Sequence, residues 1–230
     1  MPRASFNNAN LSGANLEEAM LENALLKNAD ITNTKMKGAH LKEADLNGTE
    51  TKYRVLEARG LVDFADLTSA DLTGAKLIGA KLIGANFTSA ILKSADLTGG
   101  TNLWQAKLVD ADLNDAKFSG ANLVRADFSR AKMRGAEFID ATLSWANFTQ
   151  NRAFTRVKFS GADLSHAIIV EAGMVNVDIE NARTLEDTRL PSIQELIELG
   201  FSEERINKCK EKGAIFNLPP AEPDNKGETQ

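Results

Sequence analysis

The chain has 230 residues, 27 Lys and Arg against 32 Asp and Glu, and a formal net charge of -5. The two signs are interspersed, which excludes a basic nucleic-acid stripe and an acidic tail. A single cysteine, Cys209, excludes an internal disulfide, and no apolar run approaches the length of a membrane span.

The start, MPRASFNNAN, is polar and has no apolar h-region, so no signal peptide is expected. With one cysteine this reads as a cytoplasmic chain. A lumenal or periplasmic location is the alternative if a targeting segment was removed.

A five-residue rhythm then begins. Ala9, Ala14, Ala19, Ala24 and Ala29 hold a small position, and Leu11, Leu16, Leu21, Leu26 and Ile31 hold a large one two residues later. Met36, Leu41 and Leu46 continue it. The rhythm blurs over residues 49–64 and resumes from Ala65/Leu67 to Ala95/Leu97. It slips by one residue near Gly100, runs from Leu103 to Phe148, slips again near Gln150, and runs from Phe154 to about Ile179.

Five matches neither the helical period of 3.6 nor the strand period of two. A period sustained this long marks a repeat architecture in which each unit buries its face against its neighbours. About thirty-two units, four to a coil, give about eight coils. Residues twenty apart then stack. The large residue fills the middle of a narrow tube, and the position two before it has room only for Ala. Neighbouring coils should lie about 4.8 Å apart and share backbone hydrogen bonds.

The units ADLTS, ADLTG, ANFTS, ANLVR and ADFSR resemble the pentapeptide-repeat family, whose pattern is A(D/N)LXX. The resemblance covers residues 4 to about 181. It implies a right-handed quadrilateral parallel β-helix, an all-β solenoid with a turn at each corner. The family is abundant in cyanobacteria and chloroplast lumens, and most of its members have no assigned biochemical role. Some members resemble duplex DNA in shape and charge, bind type II topoisomerases such as gyrase, and protect them from quinolones.

Stacking by twenty makes specific expectations. Phe118, Phe138 and Phe159 should form an internal ladder. Lys107 should lie over Asp127, Asp112 over Lys132, and Lys117 over Glu137, three exposed pairs worth about 0.2–1 kcal/mol each.

Residues 49–64 admit two readings. As a degenerate coil they would turn Thr51, Leu56 and Leu61 inward, and would also place Arg54 and Arg59 at small inward positions. Buried unpaired Arg is costly, so an excursion from the tube is favoured, with Tyr53, Arg54 and Arg59 as loop candidates for a partner. A tolerated surface insertion is the bland reading of the same stretch.

After residue 183 the spacing becomes helical. Ser192 and Glu195 make a capping box, with Pro191 in a first turn. Ile193, Leu196, Ile197 and Leu199 form an apolar face, and Gly200 ends the helix. Ser202 starts a second helix with Ile206 and Cys209 inward and Gly213 as its stop. Residues 184–216 thus read as a helical hairpin cap, and 217–230 as a disordered tail. No N-terminal cap is visible: either the first coil is open and pairs with a second copy, or the sequence was cut there.

No catalytic constellation emerges. His40 and His166 fall in different coils at outward or corner positions, and no His or Cys spacing suggests zinc. Asp66, Asp71, Asp96, Asp112, Asp127 and Asp163 each precede an inward Leu or Phe and belong to the repeat. No phosphate-binding loop occurs. The chain is therefore expected to be no enzyme, and to need no cofactor and no metal. Neither nucleic acid nor membrane is an expected partner.

What remains is surface recognition. Ile83, Trp104 and Val124 form an outward row, with Trp145 one residue further round the next coil. Exposed Trp is costly and enriched at binding hot spots, so this row is the candidate partner site; the bland reading is that the indoles fold over the ladder beside them or under the C-terminal hairpin. Met20 and Leu25 form a smaller outward pair. The expected function is a non-catalytic protein-interaction scaffold, with a DNA-mimic protector of gyrase as the alternative. Lys76, Lys81, Lys107, Lys117, Lys132 and Lys158 share the outward rank of the aspartates and break the negative stripe that a mimic needs.

Overall fold

The structure, a computed structural model, describes residues 3–32, 34–50, 64–151, 154–170 and 173–217. The five-residue rhythm becomes a ladder of parallel single-residue bridges. Ser5 pairs with Leu25, Asn10 with Asp30, Asn15 with Lys35, and Met20 with His40, and these four registers continue upward. Four registers define four faces, named here after Ser5, Asn10, Asn15 and Met20. The Asn15 face climbs through Lys35, Asp66, Asn86, Lys107, Asp127, Asn147, Ile168 and Arg189.

One rule generates each rung. The amide of the large inward residue donates to the outward carbonyl one coil up, as Leu67 does to Asn86 (2.8 Å). The amide of that outward residue donates back to the small inward carbonyl below, as Asn86 does to Ala65 (3.0 Å). At each corner the large residue's carbonyl accepts from the amide three residues on, as Phe118 does from Ala121 (2.9 Å). Positive φ falls on the third residue of that turn, here Gly120 at +71°, the signature of a type II turn.

The interior is predominantly apolar. Leu, Phe and Ala at the inward positions from Ala24 to Leu190 are fully or almost fully buried. Phe118 stacks on Phe138 (centroids 4.9 Å, 5° between planes) and Phe138 on Phe159 (5.4 Å, 15°), as the register predicts. A second stack stands beside it, Phe128 on Phe148 at 4.8 Å and 0°. The two meet edge to face, Phe128 against Phe138 at 5.5 Å and 85°.

Polar residues occupy some of the Ala slots. Thr34, Thr49, Thr101 and Thr188 are buried there. Each hydroxyl donates to an inward residue's carbonyl, for example Thr101 to Leu77 (2.8 Å) and Thr188 to Leu164 (2.6 Å). Buried Asn151 does the same, donating to Phe148 (2.7 Å). Hydrogen bonding offsets the cost of burying the hydroxyls and the Asn151 amide nitrogen, whereas Asn151 Oδ1 is buried with no partner among the described residues.

The slips sit at corners. Gly99 and Gly100 both have positive φ, and the pairing interval passes there from 20 to 21 residues. A second passage to 21 separates Glu137 from Lys158. A larger jump precedes Asp66, which bridges Lys35, just as Lys81 bridges Glu50. Asn47 and Ile78, joined by a hydrogen bond on this step, are 31 residues apart. Eleven residues more than a coil therefore separate these rungs. The two readings of this stretch, with Tyr53, Arg54, Arg59, Thr51, Leu56 and Leu61, fall on residues 51–63, which lie outside the described residues.

The three charge pairs keep their register but do not close. Lys107 bridges Asp127, Asp112 bridges Lys132, and Lys117 bridges Glu137 through the backbone. No ion pair joins their side chains. The carboxylates are otherwise engaged: Asp127 accepts from the Ser129 amide (2.9 Å) and Asp112 from the Asn114 amide (3.3 Å), while Glu137 pairs with Lys158 (2.7 Å). Each carboxylate is held by a turn amide, by a different lysine or by both, since Asp112 also pairs with Lys93 (3.3 Å).

Past residue 183 the ladder runs on. Thr184 bridges Asp163, and β1 (Arg189–Leu190) stacks on Ile168. Two helices follow, α1 (Ile193–Glu198) and α2 (Glu203–Glu211). The chain then returns as β2 (Ile215–Phe216), which pairs in parallel with β1. The Ser192–Glu195 capping box is present, with Pro191 before the cap rather than inside the helix. Ile206 and Cys209 are buried as expected, and Gly200 and Gly213 have φ of +87°. The apolar face of α1 is narrower than its spacing implies: Leu196 is buried, but Ile193 and Ile197 are exposed. With six residues α1 reaches the core on one side chain only. Arg205 of α2 ties the hairpin to the ladder. It pairs with Glu180 through two bonds (2.8 and 2.9 Å), donates to the Val177 carbonyl, and lies 3.9 Å over the Phe201 ring.

At the opposite end no described residue covers the first coil. Phe6, Leu11, Leu16 and Ala19 are only partly buried, with core above them. Among the described residues, the amides of Ser5, Asn10 and Asn15 donate to no backbone carbonyl.

Candidate functional site

Residues at the corner between the Asn10 and Asn15 faces form two adjacent columns. The first holds Ile83, Trp104 and Val124, and continues through Ser144 and Ser165. Gly84 donates to the Trp104 carbonyl (2.8 Å) and Gln105 to the Val124 carbonyl (2.9 Å), which fixes the stacking. All three apolar side chains are half-buried. Ser165 Oγ donates to Ser144 Oγ (3.1 Å), so the column turns polar above Val124.

The second column holds the turn's third residue on each rung: Gly84, Gln105, Arg125, Trp145, His166 and Asp187. Their φ values run from +53° to +66°. Left-handed backbone is the rule at this position, so the unusual feature is the side chain. Trp145 is 55% exposed. Its indole stacks on the His166 ring, with centroids 4.2 Å apart and 18° between planes. His166 Nδ1 lies 3.4 Å from Asp187 Oδ2 on the next rung. Three rungs thus hold one indole flat against the corner.

The four row residues are therefore brought to one corner, but not into one contact. Trp145 belongs to the neighbouring column, and its partner is His166, which stands at an outward corner as its place in the repeat implies. The signal was present for the first step: the slip near Gln150 sets Trp145 and His166 21 residues apart, and a further extra residue gives the same interval between His166 and Asp187. His40 lies on the Met20 face, bridging Met20 and Asp71, far down the ladder from His166. Met20 (48%) and Leu25 (40%) are exposed on different faces.

The remaining chemistry is structural. Burial pushes the Cys209 thiol up to about 11, with Glu180 adding to the effect. Asp163 is raised by burial, but bonds from the Ser165 hydroxyl and amide, from Ser144 and from Arg183 outweigh this and hold it below its ordinary value. Among the described residues no group of three or more His, Cys, Asp or Glu converges as a metal site. No helix among them is long and apolar enough to cross a membrane.

The ladder has counterparts among known proteins. The profile of pentapeptide repeats matches in eight copies, over residues 9–48, 65–100, 99–135 and 111–150. Among solved structures the chain is similar to HetL of the cyanobacterium Nostoc, a pentapeptide repeat protein involved in heterocyst differentiation regulation. Identity is 28%, over 79% of this chain and 85% of HetL, with a TM-score of 0.33. It is also similar to QnrB1, a plasmid-mediated fluoroquinolone resistance protein, at 18% identity over 88% and 96% of the two chains (TM-score 0.39). A pentapeptide repeat protein of the Arabidopsis thaliana thylakoid lumen matches at 24% identity over 60% and 67% (TM-score 0.24). None of the curated proteins compared matches the chain. With repeat units matched over more than half its length and a four-face ladder in the backbone, the chain belongs to the pentapeptide-repeat family of right-handed quadrilateral β-helices.

Proposed function

We propose that this protein is a non-catalytic interaction scaffold that binds another protein through the Trp145 corner. The observation that carries the reading is the exposed indole held against His166 on a stiff corner. A rigid aromatic platform gives a partner contact area at little cost in ordering entropy. Ile83, Trp104 and Val124 extend the apolar surface along the same corner.

A non-catalytic role is supported by the side chains that could have done chemistry. The two histidines stand apart on the ladder, and the lone thiol is buried and raised. The DNA-mimic alternative is weakened by the outward rank. Asp66, Asn86, Lys107 and Asp127 follow one another on one face, and Asp112 and Lys132 on another, so no continuous negative stripe forms.

In this reading the rod has about eight coils. Helices α1 and α2 close its upper end, supported by the Arg205 clamp and by the pairing of β2 with β1. The bare first coil is the surface for a second copy, supported by its half-buried Phe6, Leu11 and Leu16. A light-scattering mass of one chain at high concentration would remove that part. A reducing compartment such as the cytoplasm suits the single thiol.

The test is affinity capture from source-cell lysate with wild type beside a Trp104→Ser/Trp145→Ser variant. The expected result is one partner that wild type retains and the variant loses. A partner held equally by both would overturn the assignment of the corner. A gyrase subunit as that partner would instead favour the topoisomerase reading.

A further inference from the structure

We propose that the corner diagonally opposite Trp145, built by Lys93, Arg134 and Arg156, binds an acidic, extended segment of a protein partner. This corner lies between the Met20 and Ser5 faces. Its rungs are stacked by the same backbone bonds as elsewhere: Asp115 donates to the Arg134 carbonyl (2.8 Å) and Gly135 to Thr155 (2.9 Å). The Arg134 amide also donates to Asn114 Oδ1 (2.9 Å). The rungs leave a depression of about 450 Å³ lined by Lys93, Asn114, Asp115, Arg134, Gly135 and Arg156.

The charge here departs from the rest of the ladder. At three other places successive rungs set opposite charges together: Asp110 with Arg130 (2.8 Å), Glu137 with Lys158 (2.7 Å) and Asp163 with Arg183 (3.2 Å). At this corner Arg134 and Arg156 follow on neighbouring rungs, and neither forms an ion pair among the described residues. Lys117 and Lys132, on the flanking faces, form none either. Lys93 shares Asp112 (3.3 Å). Asp115 is the single carboxylate lining the depression, and it is folded into the space that a Cβ on Gly135 would need. Four cations that form no ion pair among the described residues thus gather at one corner of a chain whose net charge is -5.

The spacing suits carboxylates on an extended chain. Rungs are about 4.8 Å apart, and alternate side chains of a strand recur about every 6.6 Å, within reach of flexible arginines. A guanidinium fork grips a carboxylate through two bonds. The basic stretch is short. Thr73 and Gly74 lie below it, Asn176 lies above, and Asp112 and Glu137 flank it. That length serves two or three carboxylates. It does not provide the long row of phosphate contacts on which nucleic-acid affinity depends.

The proposal shares with the preceding section only the premise of a protein partner, and it concerns a different corner. The test is fluorescence anisotropy with a labelled peptide of alternating Glu and Ser. A matched Gln–Ser peptide and an oligothymidylate of equal charge serve as comparators. Wild type is compared with Arg134→Glu/Arg156→Glu and with Arg125→Glu on the Trp145 corner. Glu is tolerated in this backbone, since Glu18 and Glu43 already hold φ of +55° and +56°. If the reversal lowers the melting temperature, Arg134→Gln/Arg156→Gln takes its place.

The expected result is preference for the Glu peptide, weakened about tenfold or more by the double variant and unchanged by Arg125→Glu. Added salt should abolish it. Equal affinity for the Gln peptide, equal loss in Arg125→Glu, or tighter binding of the oligothymidylate would overturn the proposal. None of these readouts involves Trp104 or Trp145, so failure here and failure of the capture experiment are separate results.

Discussion

The first coil and the coil carrying Phe118, Leu123, Phe128 and Met133 are written in the same five-residue pattern, yet they fare differently. Phe6, Leu11 and Leu16 remain partly exposed, whereas the four residues of the upper coil are completely buried. The pattern sets which way a side chain points. Burial comes from neighbours, and a coil with a neighbour on one side only obtains about half of it.

Substitutions sharpen this contrast. Phe138→Ala removes the middle ring of one Phe stack, which also meets the second stack edge to face, and should cost about 3–5 kcal/mol in urea unfolding. Leu16→Ala, in the bare coil, should cost less than about 2 kcal/mol. Equal losses would mean that the lower end is covered in solution.

Corners allow a second comparison. Gly161→Ala meets both a φ of +70° and the Asp140 side chain, whereas Gly13→Ala meets φ of +72° and open space. The first should cost about 2–3 kcal/mol and the second about 1 kcal/mol. The difference in thermal melting isolates the overlying carboxylate.

Acid should act through Asp163. Its folded-state pKa is lowered, so its stabilisation is present above the unfolded value near about 3.9 and is lost as pH falls through that range. Asp163→Asn should flatten the acid limb of stability against pH. At the other extreme, the Cys209 thiol, raised to about 11, should stay unmodified by a thiol reagent until the chain opens. The smallest effect on stability is expected from Trp145→Ser, within about 0.5 kcal/mol, although it should abolish partner capture.

Much of this was legible because the period is local. Counting twenty places Phe118 under Phe138, and the same count, had it been extended, places Phe128 under Phe148. The Thr and Asn residues in Ala slots escaped a rhythm keyed to Ala, since their fitness depends on a carbonyl within reach of the hydroxyl or amide. The charge pairs were correct in register and wrong in contact, because an Asp beside a corner bonds to its own turn. The return of β2 to β1 is a long-range pairing that no local pattern encodes. The stacking of His166 on Trp145 is not visible in a count of twenty, because one slip separates the two residues.

The most direct test of the central claim is photocrosslinking in source cells, with the photoreactive residue at Ser144 beside the indole or at Thr88 on another corner. The account predicts one discrete protein adduct from position 144, absent from position 88 and lost in Trp145→Ser. The same adducts from both positions, or an adduct indifferent to Trp145→Ser, would contradict it.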